Sequence, residues 1–172
     1  MRIPDRIIEI GGADRPVVPV RLRVYVGIDP QYKRVVCRSR TEAALAEWGV
    51  HATLVDSTVE AVPPDTVRPA DLVVMRNVLG NMIDGHVQTV RRALGFVSQP
   101  GMLVIIEDIS AAQARLPEIE AAMEADGHWS ALYGAAQPSF RHMNEDLGLS
   151  EPKLSHRMLR VSPLDDPLRV IQ

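Results

Sequence analysis

Residues 6–18, RIIEIGGADRPVV, decide how the rest of the chain is interpreted. The apolar run at residues 7–10 predicts a short buried strand, and Gly11 and Gly12 bring it to an end. Two glycines after a strand allow a sharp turn and a close approach of the backbone to another group. Pro16 and Pro19 stand where a long helix would follow, and proline disrupts a helix interior. The stretch therefore predicts a strand and a tight loop, with no room for a full first helix.

Further apolar runs alternate with segments of helical periodicity. Strands are predicted at residues 21–28, 51–55, 71–75 and 102–106, and helices at 31–48, 86–97 and 111–126, the last interrupted by Pro117. The strands are apolar on both faces, which is typical of a parallel sheet covered by helices on both sides. Two more strands are predicted at residues 128–134 and 155–163. We therefore expect a single α/β domain over residues 1–172.

Length, charge and cysteine content exclude several kinds of protein. A net charge of −3 on 172 residues offers no electrostatic basis for binding nucleic acid or an anionic membrane. The single cysteine, Cys37, excludes a disulfide framework, and the five histidines lack metal spacing, so no metal is expected. No apolar run approaches the ~20 residues of a membrane span. We expect a soluble, cytoplasmic protein.

Polar residues follow the ends of the predicted strands, where ligands of open parallel sheets bind. Asp29, after the second strand, can accept hydrogen bonds from both hydroxyls of a ribose. Asp56, after the third strand, can accept one from an exocyclic amine. Each also has a plainer interpretation, since Asp29 precedes Pro30 as a turn or cap residue would, and Asp56 or Ser57 could cap a helix. A ribose contact at Asp29 and an amine contact at Asp56 would together suit a ligand that contains adenosine.

Five segments, in order, resemble the motifs of the class I S-adenosylmethionine-dependent methyltransferases. They are IIEIGGADRP, YVGIDPQ, ATLVDSTVEAVP, ADLVVMRNVLGNM and TVRRALGFVSQPGMLVIIED, within roughly residues 6–109. The resemblance implies a Rossmann-like, seven-stranded, mostly parallel sheet in the order 3-2-1-4-5-7-6, with its last strand antiparallel and helices on both faces. It also implies S-adenosylmethionine (SAM) as cofactor and S-adenosylhomocysteine (SAH) as product.

The residues that the resemblance implies in cofactor binding lie at or after the ends of the first four strands: Glu9, Gly11, Gly12, Ala13, Asp29, Asp56, Ser57, Arg76 and Asn77. Those of the first strand and its glycine turn would face the methionine portion of the cofactor. The residue after the second strand would bind the ribose, and the pair after the third would bind adenine. The pair after the fourth would line the methyl-donor end.

Two chemical questions stay open. A nicotinamide dinucleotide also needs a glycine turn and a later acidic residue, but GGADRP lacks the GxGxxG spacing. A hydroxyl acceptor that must lose its proton is helped by a general base. His142, in SFRHMNED, is the candidate, with Asp108 and Asn81 as other polar groups on the acceptor side. An exposed loop position is the alternative for each of these three residues.

The function that the resemblance implies is methyl transfer from SAM. The small size of the chain and its lack of a basic excess favour a small-molecule acceptor, and we expect a role in specialised metabolism. Members of this family usually carry N-terminal helices that cover the cofactor, and only a short segment precedes the first strand here. A cover would then come from the loop predicted at residues 135–152, from a second copy in a homodimer or from a partner subunit. The short first loop also keeps a second interpretation open, a non-catalytic methyltransferase-like protein that binds or supports another subunit.

Overall fold

The structure is a computed structural model, which describes residues 5–13, 15–18, 22–108, 110–134 and 157–163. These residues contain seven strands: β1 (Arg6–Ile10), β2 (Val24–Ile28), β3 (His51–Val55), β4 (Ala70–Arg76), β5 (Val97–Glu107), β6 (Trp129–Gly134) and β7 (Arg157–Ser162). They also contain four α-helices: α1 (Val35–Glu47), α2 (His86–Leu94), α3 (Ser110–Gln113) and α4 (Leu116–Ala125). Short 3-10 turns lie at Pro30–Lys33, Pro64–Thr66 and Leu79–Asn81.

The seven strands form one sheet in the order β3-β2-β1-β4-β5-β7-β6. The pairs from β3 to β5 are parallel, whereas β7 runs antiparallel to both β5 and β6. The predicted strand order and the antiparallel end of the sheet are confirmed. β1 lies between β2 and β4, so the loop that follows it occupies the middle of the carboxyl edge.

Each face of the sheet carries its own apolar cluster, because successive side chains of a strand point to opposite faces. The larger cluster joins strand residues to α2 and α4, for example Ile8, Val73 and Ile105 with Val90 and Ile119. The smaller cluster lies on the α1 face and includes Ile7, Tyr25, Leu72, Val74 and Leu45. The prediction of helices on both faces is therefore confirmed.

The first two connections differ from the predicted boundaries. The strand predicted at residues 21–28 begins as β2 at Val24, because the amides of Arg23 and Val24 both donate to the Asp5 carbonyl, at 2.9 and 3.0 Å, before regular pairing starts. The helix predicted at residues 31–48 is divided. Arg34 has extended backbone angles (φ −83°, ψ 116°), which separate the 3-10 turn from α1.

The later elements also shift. The helix predicted at residues 86–97 ends at Leu94, because the Phe96 carbonyl accepts the Ala70 amide and draws the chain into the sheet as β5. The strand predicted at residues 102–106 therefore begins at Val97. The helix predicted at residues 111–126 is two helices, and Pro117 lies in the first turn of α4, where its missing N–H costs no helical hydrogen bond.

The described residues between β1 and β2 contain no helix, as the prolines predicted. We call this connection the first loop and define it by residues 11–13 and 15–18. On the face of the sheet with the smaller apolar cluster, α1 packs against the strands through Leu45. None of the described helices has the length and apolar character needed to cross a membrane.

Candidate functional site

The carboxyl ends of four neighbouring strands meet at one edge of the sheet. The register pairs Ile10 of β1 with Ile28 of β2 and with Met75 of β4, and it pairs Ile28 with Val55 of β3. The residues that follow these strands are therefore brought together. This arrangement confirms the sequence-based expectation that the polar strand ends share one edge.

The first loop begins with a turn that needs glycine. Gly11 has φ +80°, and its amide donates to the Ile28 carbonyl of β2 at 3.1 Å. A Cβ atom on Gly11 would lie 2.7 Å from the Arg76 carbonyl oxygen and 2.6 Å from Val78 Cγ2. The turn is thus packed directly against the end of β4. Ala13 also has a positive φ, +44°, which is uncommon for a residue with a side chain.

Glu9 lies beneath this loop and is fully buried. Its Oε2 accepts the Val17 amide at 2.7 Å and the Tyr25 hydroxyl at 2.8 Å, and its Oε1 lies 3.1 Å from Arg76 Nη2. Burial raises the pKa of Glu9, while Arg76, the Val17 amide and the Tyr25 hydroxyl each oppose that rise. Gly12 covers the group, and a Cβ there would meet the Tyr25 oxygen at 2.8 Å. The Glu9 side chain therefore supports the loop from below.

Asp29 joins the first loop to the turn after β2. Its Oδ2 accepts the Ala13 amide at 3.0 Å, and its Oδ1 accepts the Gln31 amide at 2.7 Å as the cap of the 3-10 turn. Only 4% of the residue is exposed. The capping interpretation is therefore observed directly. A carboxylate has about four acceptor sites, and contacts among the described residues occupy two of those on Asp29. The ribose role stays a prediction.

Asp56 and Ser57 follow β3 beside Asp29. The Asp29 amide donates to the Val55 carbonyl at 3.1 Å, so the two strand ends are in direct contact. Asp56 is exposed and Ser57 is half-buried. The Ser57 amide donates to the Val55 carbonyl at 3.0 Å. No helix follows directly in this part of the described chain, so neither residue is a helix cap.

Arg76 and Asn77 follow β4 but turn in different directions. Arg76 Nη2 donates to the Gly12 carbonyl at 3.2 Å and to the Arg15 carbonyl, so this side chain holds the first loop. Asn77 turns toward β5, where its amide donates to the Ile106 carbonyl at 2.9 Å and its Oδ1 accepts the Asp108 amide at 3.1 Å. Asn81 Nδ2 in turn donates to the Asn77 carbonyl at 2.8 Å. Arg76 thus connects the end of β4 to the first loop, and Asn77 connects it to the end of β5.

Comparisons with known proteins agree with this architecture. No protein-family model and no curated protein matches the sequence. Among solved structures, the plantazolicin methyltransferase BpumL in complex with SAH matches with a TM-score of 0.63 at 11% identity, covering 92% of this chain and 76% of that one. An O-methyltransferase family protein from Burkholderia thailandensis matches with a TM-score of 0.61 at 13% identity, covering 92% and 51%. An rRNA methylase from Streptococcus thermophilus matches with a TM-score of 0.57 at 15% identity, covering 93% and 87%.

The chain has the class I methyltransferase fold. The residues predicted as cofactor contacts lie at the carboxyl edge of this sheet, in the first loop or at the ends of β1 to β4. His142, the predicted general base, lies outside the described residues. No group of three or more His, Cys, Asp or Glu residues in the described parts of the chain could hold a metal ion.

Sequence reasoning missed three residues that support the site in this methyltransferase fold. Tyr25 and Tyr32 are buried beside Glu9, with their hydroxyl oxygens 3.4 Å apart. Glu107, at the end of β5, is fully buried, and its carboxylate accepts the Leu79 amide at 2.9 Å. Burial raises the pKa of Glu107 to about 7, although backbone amides of the turn after β4 hold it lower in part. Tyr25 lies within the apolar run of β2 and Glu107 ends the run of β5, so a polar group in or after an apolar run was the available signal for these two, whereas Tyr32 lies in the 3-10 turn without such a signal.

Proposed function

We propose that this protein is a SAM-dependent methyltransferase. The proposal is carried by one arrangement at the carboxyl edge of the sheet. The Ala13 amide of the glycine turn donates to Asp29, and the exposed Asp56 follows the neighbouring strand. In this proposal Asp29 accepts ribose hydroxyls and Asp56 accepts the adenine amine, with Ser57 next to it. The methionine portion lies over the first loop, on the side of Arg76 and Asn77.

The cofactor supplies an electrophilic methyl group, and the protein supplies position. Transfer to a nucleophile is an in-line displacement that gains most from holding the two reactants in line and close together. The first loop, held by the hydrogen bond from the Ala13 amide to Asp29, offers a support for the cofactor. If the acceptor is a hydroxyl, His142 is the proposed general base, with Asp108 and Asn81 as further polar groups on the acceptor side.

The proposed acceptor is a small molecule. The net charge of −3 supports this choice, because nucleic-acid binding proteins carry an excess of Lys and Arg. Among the structurally similar proteins, one is a plantazolicin methyltransferase and another an rRNA methylase, so the acceptor class is argued from charge and not from the fold. A role in specialised metabolism and a cytoplasmic location belong to the same proposal.

Calorimetric titration with SAM and SAH tests the proposal. Binding of either ligand supports it, and the absence of binding by both at millimolar concentration rejects it. Asp29→Ala is expected to weaken SAH binding ten- to hundred-fold, since a hydrogen bond to a charged group contributes ~1.5–3 kcal/mol. Asp65→Ala, at an exposed carboxylate away from the strand ends, is the control. An unchanged affinity for SAH in folded Asp29→Ala would reject the ribose role.

A second candidate function is non-catalytic binding to another subunit. The observation that favours it is the state of Asp29, which is 4% exposed and already accepts two backbone amides. A protein of this kind would bind neither SAM nor SAH and would elute as a complex with its partner. Gel filtration with light scattering distinguishes a monomer from a homodimer or a complex with a partner.

A further inference from the structure

The described residues of the first loop form no helix, yet side chains from four elements hold its backbone. Thr41 of α1 donates to the Ala13 carbonyl at 2.7 Å, and Asp29 after β2 accepts the Ala13 amide. Glu9 of β1 accepts the Val17 amide, and Arg76 of β4 donates to two loop carbonyls. The loop is therefore held mainly by side chains from outside it.

The contacts divide into two groups along the sheet. Asp29 and Thr41 hold the loop from the β2 side, where the proposed ribose contact lies. Arg76 and Glu9 hold it from the β1 and β4 side, where the proposed methionine portion lies. Tyr25 belongs to the second group, because its hydroxyl donates to the buried Glu9 carboxylate at 2.8 Å.

We infer that Arg76, Glu9 and Tyr25 form a positioning device that replaces the first helix and presents the first loop to the amino-acid end of the cofactor. The inference rests on the proposed function for its ligand. These three residues act through the loop backbone, so they are positioning residues and need no contact with the reacting atoms. Their cohesion comes from a buried carboxylate that has a cation on one oxygen and two donors on the other.

The geometry explains why each partner is needed. Arg76 Nη2 serves two carbonyls and also faces Glu9 Oε1 at 3.1 Å, so its loss frees the loop and leaves a buried carboxylate without its cation. Gly12 closes over Glu9 and Tyr25, and a larger residue there would displace one of them. The position of the first loop therefore depends on the contacts that Glu9 makes with Arg76 and Tyr25.

Two measurements on Arg76→Met and Tyr25→Phe test the device. The first is amide hydrogen exchange at Val17, with Ala70 as the reference amide because it bonds to the Phe96 carbonyl far from the loop. The second is calorimetric affinity for SAH and for 5′-methylthioadenosine, which has the nucleoside and lacks the amino acid. Arg91→Met, which removes a surface arginine paired with Asp126, is the matched control.

We expect the Val17 amide to exchange at least about tenfold faster in both variants, while the exchange rate of the Ala70 amide stays unchanged. We also expect about a tenfold weaker affinity for SAH with an unchanged affinity for methylthioadenosine. Equal weakening for both ligands, or unchanged protection at Val17, would overturn the inference. If the wild-type protein binds neither ligand, the proposed function fails, and the exchange data alone still decide whether the device holds the loop. Tyr25→Phe keeps the test valid if Arg76→Met does not fold.

Discussion

Gly11 shows how one residue connects the strand, the loop and the neighbouring strand. Its φ of +80° lies in the region that residues with a Cβ avoid, and its α-carbon faces the backbone of β4. Two separate physical demands therefore require glycine at this position. Gly49, after α1, meets only the first of them, because it has φ +67° but no atom within 4 Å of the position of a Cβ.

This difference predicts the stabilities of two alanine variants. Gly49→Ala is expected to cost about 1–2 kcal/mol, which is the backbone penalty alone. Gly11→Ala is expected to cost about 1–3 kcal/mol more, because the new Cβ would lie 2.7 Å from the Arg76 carbonyl oxygen. Urea unfolding of both variants measures the difference. Equal costs would mean that the loop moves away from β4 without penalty.

At the scale of elements, Glu107 connects β5 to the turn after β4. It accepts the Leu79 amide, and its own carbonyl accepts Gln113 Nε2 of α3 at 3.1 Å. The turn at Leu79–Asn81 begins the connection that borders the site, and Asn77 joins the same region to β5. A single buried acid therefore helps to hold the end of β5 to the turn after β4 and to α3.

The raised pKa of Glu107 predicts how stability depends on pH. Burial raises this pKa from 4.5 to about 7, so between these values the folded protein binds a proton that the unfolded chain releases. The contribution of Glu107 to stability is therefore fully present below about pH 4.5 and is lost as the pH rises through about 7. Glu107→Gln keeps an acceptor for Leu79 and does not titrate.

Thermal unfolding from pH 5 to pH 9 measures this effect. We expect the stability of Glu107→Gln relative to the wild-type protein to be lowest near pH 5 and to rise toward pH 8–9, by about 3 kcal/mol at most. Glu118→Gln, at an exposed position of α4, is the control and is expected to follow the wild-type curve. A stability difference between Glu107→Gln and the wild type that stays constant from pH 5 to pH 9 would contradict the raised pKa of Glu107.

At the scale of the whole molecule, net charge is the property that distinguishes a small-molecule acceptor from a nucleic-acid acceptor. The chain has 19 Lys and Arg residues against 22 Asp and Glu residues. Affinity for a nucleic acid depends on neutralising phosphates and releasing counterions, and an acidic chain gains little from either. The small-molecule proposal therefore rests on a property of the whole sequence.

We expect no measurable binding of a fluorescent rRNA hairpin at 0.15 M salt, with polylysine as the positive control in an anisotropy titration. Non-specific binding by basic proteins gives dissociation constants of about 10⁻⁴–10⁻⁶ M at such salt. If the hairpin binds more tightly than this non-specific range, and added salt weakens the binding steeply, the small-molecule proposal is wrong and RNA is the acceptor class to propose.

Most of the fold could be predicted because strands buried on both faces leave continuous apolar runs, as in VVM of β4 and LVII of β5. The helix boundaries were wrong where tertiary contacts decide them. Phe96 leaves its helix to bond Ala70, and Arg34 adopts extended angles after the turn capped by Asp29. Local periodicity contains neither interaction.

The site divides in the same way. The linear order of apolar runs and polar strand ends was enough to bring Asp29, Asp56 and the glycine turn to one edge, because parallel strands align their carboxyl ends. The support beneath the loop depended on register. Tyr25 reaches Glu9 because β1 and β2 pair side by side, and Arg76 reaches the Gly12 carbonyl because β4 flanks β1 on the other side. Contacts between residues so far apart in the chain exist only once the sheet has assembled.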